Sequence, residues 1–188
     1  AFDKLIRSNK GLVRVVRNTQ AARSSLTAAE QADKAGQRLP ALSGYARTFV
    51  LRPEPTPTPE MDRRLLAKID ALLSTAGSLP PVPEEARRYV ARSNAFMKSA
   101  STEGYDQVLT QMDDAVMAAP LWPEATFNRG LIQEAAGQYQ QAIRSLSLYL
   151  RLAPRAQDAP AVQNKIYELE VMAEKAGKPT ERTNKLAK

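Results

Sequence analysis

Two segments of the chain repeat the same residue pattern at a spacing of 34 positions. Tyr105 returns as Tyr139, and Pro120 returns as Pro154. A fixed period of this length is typical of stacked helical repeats, in which each unit is a helix–turn–helix. The chain is therefore expected to be all-α. The apolar positions in between also correspond: Val108 with Ala142, Leu109 with Ile143, Met112 with Leu146, and Val116 with Leu150.

The clearest unit runs from Pro123 to Pro154. Proline suits the first turn of a helix, where its missing N–H costs nothing. Gly137 predicts the end of that helix, because glycine readily adopts the left-handed conformation found there. Apolar residues at steps of three and four then predict a second helix that ends at Pro154. Its stripe consists of Tyr139, Ala142, Ile143, Leu146, Tyr149 and Leu150.

Two further units precede this one. The segment from Glu84 to Pro120 has the same order of helix, turn at Gly104 and helix. A fainter copy lies between Ala22 and Pro53, with its turn at Gly36. This turn precedes the turn at Gly137 by three periods less one residue. After Pro154, Asp158 predicts the start of a single amphipathic helix that ends at Gly177, as expected for a helix that caps an array.

The repeated positions resemble the tetratricopeptide repeat (TPR), a 34-residue unit with small residues, an aromatic residue and a proline at set places. The aromatic place of the first unit holds Arg38, and one of the small places of the second holds Phe96. These are departures from the pattern. The corresponding positions are Gly130, Tyr139, Ala142, Tyr149 and Pro154 in the third unit, Phe96, Tyr105, Val108, Ala115 and Pro120 in the second, and Ala29, Arg38, Ala41, Thr48 and Pro53 in the first.

The resemblance implies a right-handed α-superhelix of stacked helix–turn–helix repeats with a C-terminal capping helix. It also implies a concave groove, lined by the first helix of each unit, that holds a peptide or a partner helix. Mapping the groove positions gives Ser93 and Ala100 in the second unit and acidic residues, such as Asp158 and Glu168, in the cap. The candidate binding residues are Asn94, Met97, Ser101, Glu124, Phe127, Asn128, Leu131, Glu134 and Lys165.

The chain is expected to divide into five parts. A basic N-terminal segment covers 1–21, a degenerate repeat 22–55, a proline-rich linker with one amphipathic helix 56–83, two repeats plus the capping helix 84–177, and a basic tail without fixed structure 178–188. Gly11 predicts a break within the first part, where helix is favoured over strand. The amphipathic helix at Met61–Ala76 is either an insertion that packs on the array or the mark of a boundary between two lobes.

Charge is concentrated at the two ends of a chain whose net charge is +7. Residues 1–23 hold six basic side chains and one acidic one, and residues 175–188 hold five and one, so the middle is slightly acidic. A groove that contains Glu124, Glu134 and Asp158 should favour a basic or apolar partner. Self-association is a further possibility, and no cofactor, metal or small-molecule substrate is expected.

Three classes of function follow. A non-catalytic protein-interaction scaffold is the first, and nucleic-acid or anionic-membrane binding through the basic ends is the alternative. An enzyme is disfavoured, since the chain has no cysteine or histidine and no phosphate loop. The paired carboxylates Asp113/Asp114 and Glu84/Glu85 are interpreted as a solvated helix face and a helix N-terminus. Composition and repeat class favour a bacterial source and the periplasm or cell envelope, with the cytoplasm as the alternative.

Overall fold

The computed structural model describes the backbone of residues 2–52, 59–99 and 104–177, and the side chains of 11–52, 59–98 and 104–176. Within these ranges the chain forms eight α-helices and no strand, which confirms the all-α class. The helices are α1 (Phe2–Lys34), α2 (Arg38–Leu51), α3 (Pro59–Leu73), α4 (Glu84–Ser99), α5 (Tyr105–Ala118), α6 (Pro123–Ala135), α7 (Tyr139–Leu152) and α8 (Ala159–Gly177).

Glycine and proline set several of the helix ends. Gly36, Gly77 and Gly137 each follow a helix with φ near +70°, a conformation that costs glycine little and other residues more. Pro123 begins α6, where no N–H is needed, and α7 ends two residues before Pro154. These turns lie where the sequence predicted them.

Gly11 does not interrupt α1, so the predicted break was wrong. The helix runs unbroken for 33 residues and passes the expected boundary between 21 and 22. At Gly11 it passes close to α5, and a Cβ atom there would lie 3.4 Å from Asp106 Oδ2. The glycine therefore permits a close approach between two helices rather than a turn.

Two consecutive helical hairpins, α4–α5 and α6–α7, form the C-terminal part with α8. Each helix from α4 to α8 contacts the next one along the chain. Gly130 allows α6 and α7 to pack closely, because a Cβ atom at this position would lie 2.8 Å from the side chain of Leu146. The same principle joins α1 to α2, where a Cβ atom on Gly44 would lie 2.7 Å from that of Ala29.

The α1–α2 hairpin lies against the second helices of the later hairpins. Helix α1 contacts α5, and α2 contacts both α5 and α7. We call this side of α5 and α7 the covered face. Helix α3 packs on α2 and contributes the buried residues Leu65 and Ile69 to the main core. The amphipathic helix therefore packs on α2, while the boundary between two lobes stays a prediction.

The main hydrophobic core is continuous from α1 to α7. It includes Phe49 from α2, Leu109 from α5 and Leu148 from α7. A smaller cluster joins α7 to α8 through residues that include Leu146 and Leu169. Helix α7 therefore packs on two sides, toward the N-terminal hairpin and toward the last helix. Within the described residues, no helix combines the length and apolar character that crossing a bilayer requires.

Candidate functional site

Five of the predicted binding residues form one stripe along α6, which we call the α6 stripe. Glu124 is exposed, and the other four are partly exposed. The opposite side of α6 is buried against neighbouring helices. Since the stripe residues recur at steps of one, three and four, they lie on one face of the helix. The members are Glu124, Phe127, Asn128, Leu131 and Glu134.

Phe127 is fixed in the stripe by an aromatic contact. Its ring lies 5.0 Å from that of Tyr149 on α7, with the planes inclined at 47°. The Tyr149 hydroxyl in turn donates a hydrogen bond of 2.5 Å to Asp158, just before α8. This bond, with some burial, raises the pKa of Tyr149 to about 12. Phe127 is therefore a preformed apolar surface, and Asp158 is already engaged by a donor from the protein itself.

An ion pair spans from the α6 stripe to α8. Lys165 Nζ lies 2.9 and 3.0 Å from the two carboxylate oxygens of Glu134. Both side chains are about one-third exposed or less. Two predicted binding residues are thus brought together, and they neutralise each other. The face is less acidic at this point than the sequence suggested, while Glu124 on α6 and Glu168 on α8 are exposed carboxylates.

Helix α4 supplies Asn94 and Met97, and both are exposed. Ser93, which the mapping also placed in the groove, is fully buried, and its hydroxyl donates to the Val108 carbonyl at 3.3 Å. Ser93 therefore belongs to the contact between α4 and α5, and its assignment to the groove was wrong. Ser101 and Ala100 lie outside the described residues.

The covered face contains a buried group of charged side chains that the sequence interpretation missed. Asp113 is completely buried, so the expectation that it decorates a solvated face was wrong. It accepts hydrogen bonds from Arg129 Nε at 2.8 Å, Asn18 Nδ2 at 2.6 Å and Arg14 Nη1 at 3.2 Å. We call these four residues the ion cluster. Their signal in the sequence was spacing, since Asp113 lies four residues after Leu109 and three before Val116, both apolar.

Polar side chains of α6 and α7 extend the ion cluster. Arg129 Nη1 donates to Ser145 Oγ at 2.8 Å. With the Gln133 amide oxygen facing Arg129, that oxygen accepts from Nη1 at 2.8 Å, and the amide nitrogen donates to Ser145 Oγ at 2.7 Å. Arg14 also lies 3.6 Å from the half-exposed carboxylate of Asp106. Two arginines and two aspartates thus balance in charge, as burial of ions requires.

The pKa values of the adjacent carboxylates Asp113 and Asp114 are shifted in opposite directions. Burial alone would raise the pKa of Asp113, but Arg129, Arg14 and the Asn18 amide together hold it below its usual value. Burial raises the pKa of Asp114, and its 2.8 Å ion pair with Arg17 only partly opposes the rise. Glu84 and Glu85, the other pair, lie exposed in the first turn of α4, as expected.

Some of the basic side chains of the N-terminal segment are neutralised by these contacts. Arg14 and Arg17 pair with aspartates of α5, whereas Leu12, Val13 and Val16 of the same helix are exposed. The tail 178–188 lies outside the described residues. Among the residues that the structure describes, no group of acidic side chains is arranged to hold a metal ion.

Comparison with known proteins gives no identity. No family model, no curated protein and no solved structure matches the chain. The class that the fold defines is an all-α protein of repeated helical hairpins.

Proposed function

We propose that the chain is a non-catalytic, TPR-like interaction scaffold that binds a peptide or partner helix on the first-helix face, the side formed by α4, α6 and α8. In this proposal the three helices line the concave side of a short superhelix. The pattern of contacts between helices supports the proposal, because α5 packs on α4 and α6, and α7 packs on α6 and α8. Stacked hairpins produce this alternation.

One observation favours the first-helix face above the other side. The covered face is already occupied by the α1–α2 hairpin and by the ion cluster. On the first-helix face, the α6 stripe is partly exposed along its whole length, and Asn94 and Met97 of α4 are exposed. A partner can therefore reach this side without displacing any helix that the structure describes.

The chemistry of the face favours a ligand with apolar and basic side chains. Phe127 and Leu131 offer fixed apolar surface, and Glu124 offers an exposed carboxylate for a basic residue. Asn94 and Asn128 present amides that can donate to and accept from a peptide backbone. Because Lys165 is paired with Glu134, an acidic ligand would meet no free cation at that point of the face.

A selection from a displayed random-peptide library against the intact chain tests the proposal. Selected peptides should be rich in apolar and basic residues, and Asn94→Ala combined with Asn128→Ala should weaken them roughly tenfold, as for the loss of one or two hydrogen bonds. Asn164→Ala, an exposed asparagine of α8 outside the stripe, is the matched control. If the selected peptides bind the double variant and wild type equally, the proposal that this face binds peptides is wrong.

A second candidate is association with anionic membranes through α1. The exposed apolar side chains Leu12, Val13 and Val16 favour it, because such residues beside basic ones suit an interfacial helix. Replacing all three with serine should then abolish cosedimentation with vesicles that contain phosphatidylserine. Equal cosedimentation of the variant and wild type would reject this candidate, as would the absence of binding by wild type.

A further inference from the structure

A cleft of about 170 Å³ lies between α2 and two connecting segments. Ser43 and Arg47 of α2 form one wall. Residues 80–83, with the sequence Pro-Pro-Val-Pro, form the second, and the α5–α6 turn at 118–122 forms the third. The turn is held by a bond of 3.1 Å from the Trp122 N–H to the Ala119 carbonyl. The cleft shares no residue with the α6 stripe, although its third wall ends just before α6 begins.

Arg47 differs from the other shielded arginines of the described chain. Six arginines besides Arg47 are buried or half-buried there, and each has a carboxylate within 4 Å. Arg47 has no hydrogen bond or ion pair among the described residues, and its Nε is buried without a partner. Burial lowers the pKa of Arg47, and no nearby carboxylate opposes this. The six paired residues are Arg14, Arg17, Arg52, Arg129, Arg144 and Arg151.

The remaining walls of the cleft are apolar and stiff. Pro80, Pro81 and Pro83 have fixed φ angles, so this wall loses little conformational entropy when a ligand binds. Trp122 adds an aromatic surface that packs partly on the main core. None of the residues that line the cleft is acidic, and Arg47 is the single cation among them. Within the described part of the chain, the cleft therefore combines one positive charge that no carboxylate compensates with a preformed apolar surface.

We propose that this cleft binds a small organic monocarboxylate with an apolar body. The carboxylate pairs with the Arg47 guanidinium, whose planar fork matches two carboxylate oxygens. The apolar body lies against the prolines and Trp122. A phosphate dianion fits less well, because no second cation lines the cleft. The volume is below the range of roughly 300–1,000 Å³ of drug-sized sites, which limits the ligand to a single ring or a short chain.

Trp122 is the sole tryptophan of the sequence, so its fluorescence reports on this cleft directly. Titration with cyclohexanecarboxylate, which does not absorb at the excitation wavelength, should change the emission in a saturable manner. Cyclohexanecarboxamide has the same shape without the charge and should bind at least roughly tenfold more weakly, the loss expected for a charge-assisted pair.

Arg47→Gln is the decisive variant. It should bind the acid at least roughly tenfold more weakly than wild type. Its urea midpoint should stay equal or rise, because the substitution breaks no hydrogen bond or ion pair among the described residues. Arg155→Gln removes the same charge from an exposed position and should bind like wild type. Arg47→Lys keeps the charge but not the fork, and should bind with intermediate affinity.

Three results would overturn the proposal. The first is equal binding of acid and amide. The second is equal binding of the acid by wild type and Arg47→Gln, and the third is no saturable response of wild type at millimolar acid. Clearly tighter binding of a short acidic peptide than of the free acid would mean that the cleft binds a protein partner and not a small molecule. Chemical shifts of the Ser43 amide and the Trp122 indole, followed during the titration, provide a second readout of position.

Discussion

The two faces of the α4–α8 segment treat charge in opposite ways. On the covered face, Asp113 and Arg129 are fully buried, and each is held by several partners. On the first-helix face, Glu134 and Lys165 form a partly solvated pair beside half-exposed apolar residues. Ions buried in protein are costly unless they are paired, whereas solvated pairs contribute little. The difference indicates that the charged groups of the covered face are tied to the packing of the fold, whereas the ion pair on the first-helix face contributes little to it.

The largest predicted effect is on the covered face. Asp113→Ala leaves Arg14 and Arg129 buried without their shared carboxylate, and should lower the free energy of unfolding by about 3–5 kcal/mol. Urea denaturation measures the loss. Asp114→Ala, next in sequence, breaks only the partly exposed pair with Arg17 and should cost less than about 1 kcal/mol. Similar small losses in both variants would mean that water reaches Asp113 in solution.

A pair of glycine substitutions compares the covering hairpin with a repeat hairpin. Gly44→Ala would place a Cβ atom 2.7 Å from that of Ala29 and 2.9 Å from the Ser25 carbonyl oxygen, so α1 and α2 must separate. A loss of about 1–3 kcal/mol is expected. Gly130→Ala would place a Cβ atom 2.8 Å from Cγ and Cδ2 of the Leu146 side chain and would meet no backbone atom as closely, so it should cost less. Thermal unfolding of both variants would contradict this if Gly130→Ala were the less stable.

Acidification separates Asp113 from Asp114. The folded-state pKa of Asp113 is lowered, so its contribution is present above the unfolded value, near pH 4, and is lost as the pH falls through the folded value. The pKa of Asp114 is raised, so its protonation favours the folded state. Between about pH 6 and pH 3, Asp114→Asn should therefore lose stability more steeply than wild type, and Asp113→Asn less steeply. Parallel urea midpoints for all three proteins would contradict both directions.

The smallest effect is expected on the first-helix face. Lys165→Gln or Glu134→Gln should change stability by less than about 1 kcal/mol, because both side chains are partly solvated. The double variant completes a cycle that isolates the interaction between the two residues. A coupling as large as the loss in Asp113→Ala would show that this pair also fastens the fold, and the contrast between the faces would not hold.

Much of the fold was predictable because the signals are local. Helical periodicity and the residues that stop helices decide where helices lie, and three glycines with positive φ lie at expected turns. Gly11 misled because a glycine also serves close helix contact, and only the packing of α1 on α5 distinguishes the two uses. How the α1–α2 hairpin packs against α5 and α7 depends on contacts about a hundred residues apart, which periodicity does not encode.

The candidate surfaces likewise divide into those set by local sequence and those set by long-range contacts. The α6 stripe was predictable, since one helical period determines which residues share a face. Three other features were not predictable, because each depends on which helix lies opposite. They are the pairing of Glu134 with Lys165, the ion cluster, and the lack of a partner for Arg47 among the described residues. Arg14 and Arg47 look alike in sequence, and only the presence or absence of a facing carboxylate separates them.

The long-range contacts of α1 determine when the chain can finish folding during synthesis. Arg14 and Asn18 emerge from the ribosome well before their partner Asp113, which follows Arg14 by 99 residues, and Arg14 also reaches Gln138, 124 residues on. The first hairpin must therefore wait, with one side unburied, until α5 to α7 have been made. A chain whose synthesis stops before α5 would therefore leave Arg14 and Asn18 without Asp113 and one side of the first hairpin unburied.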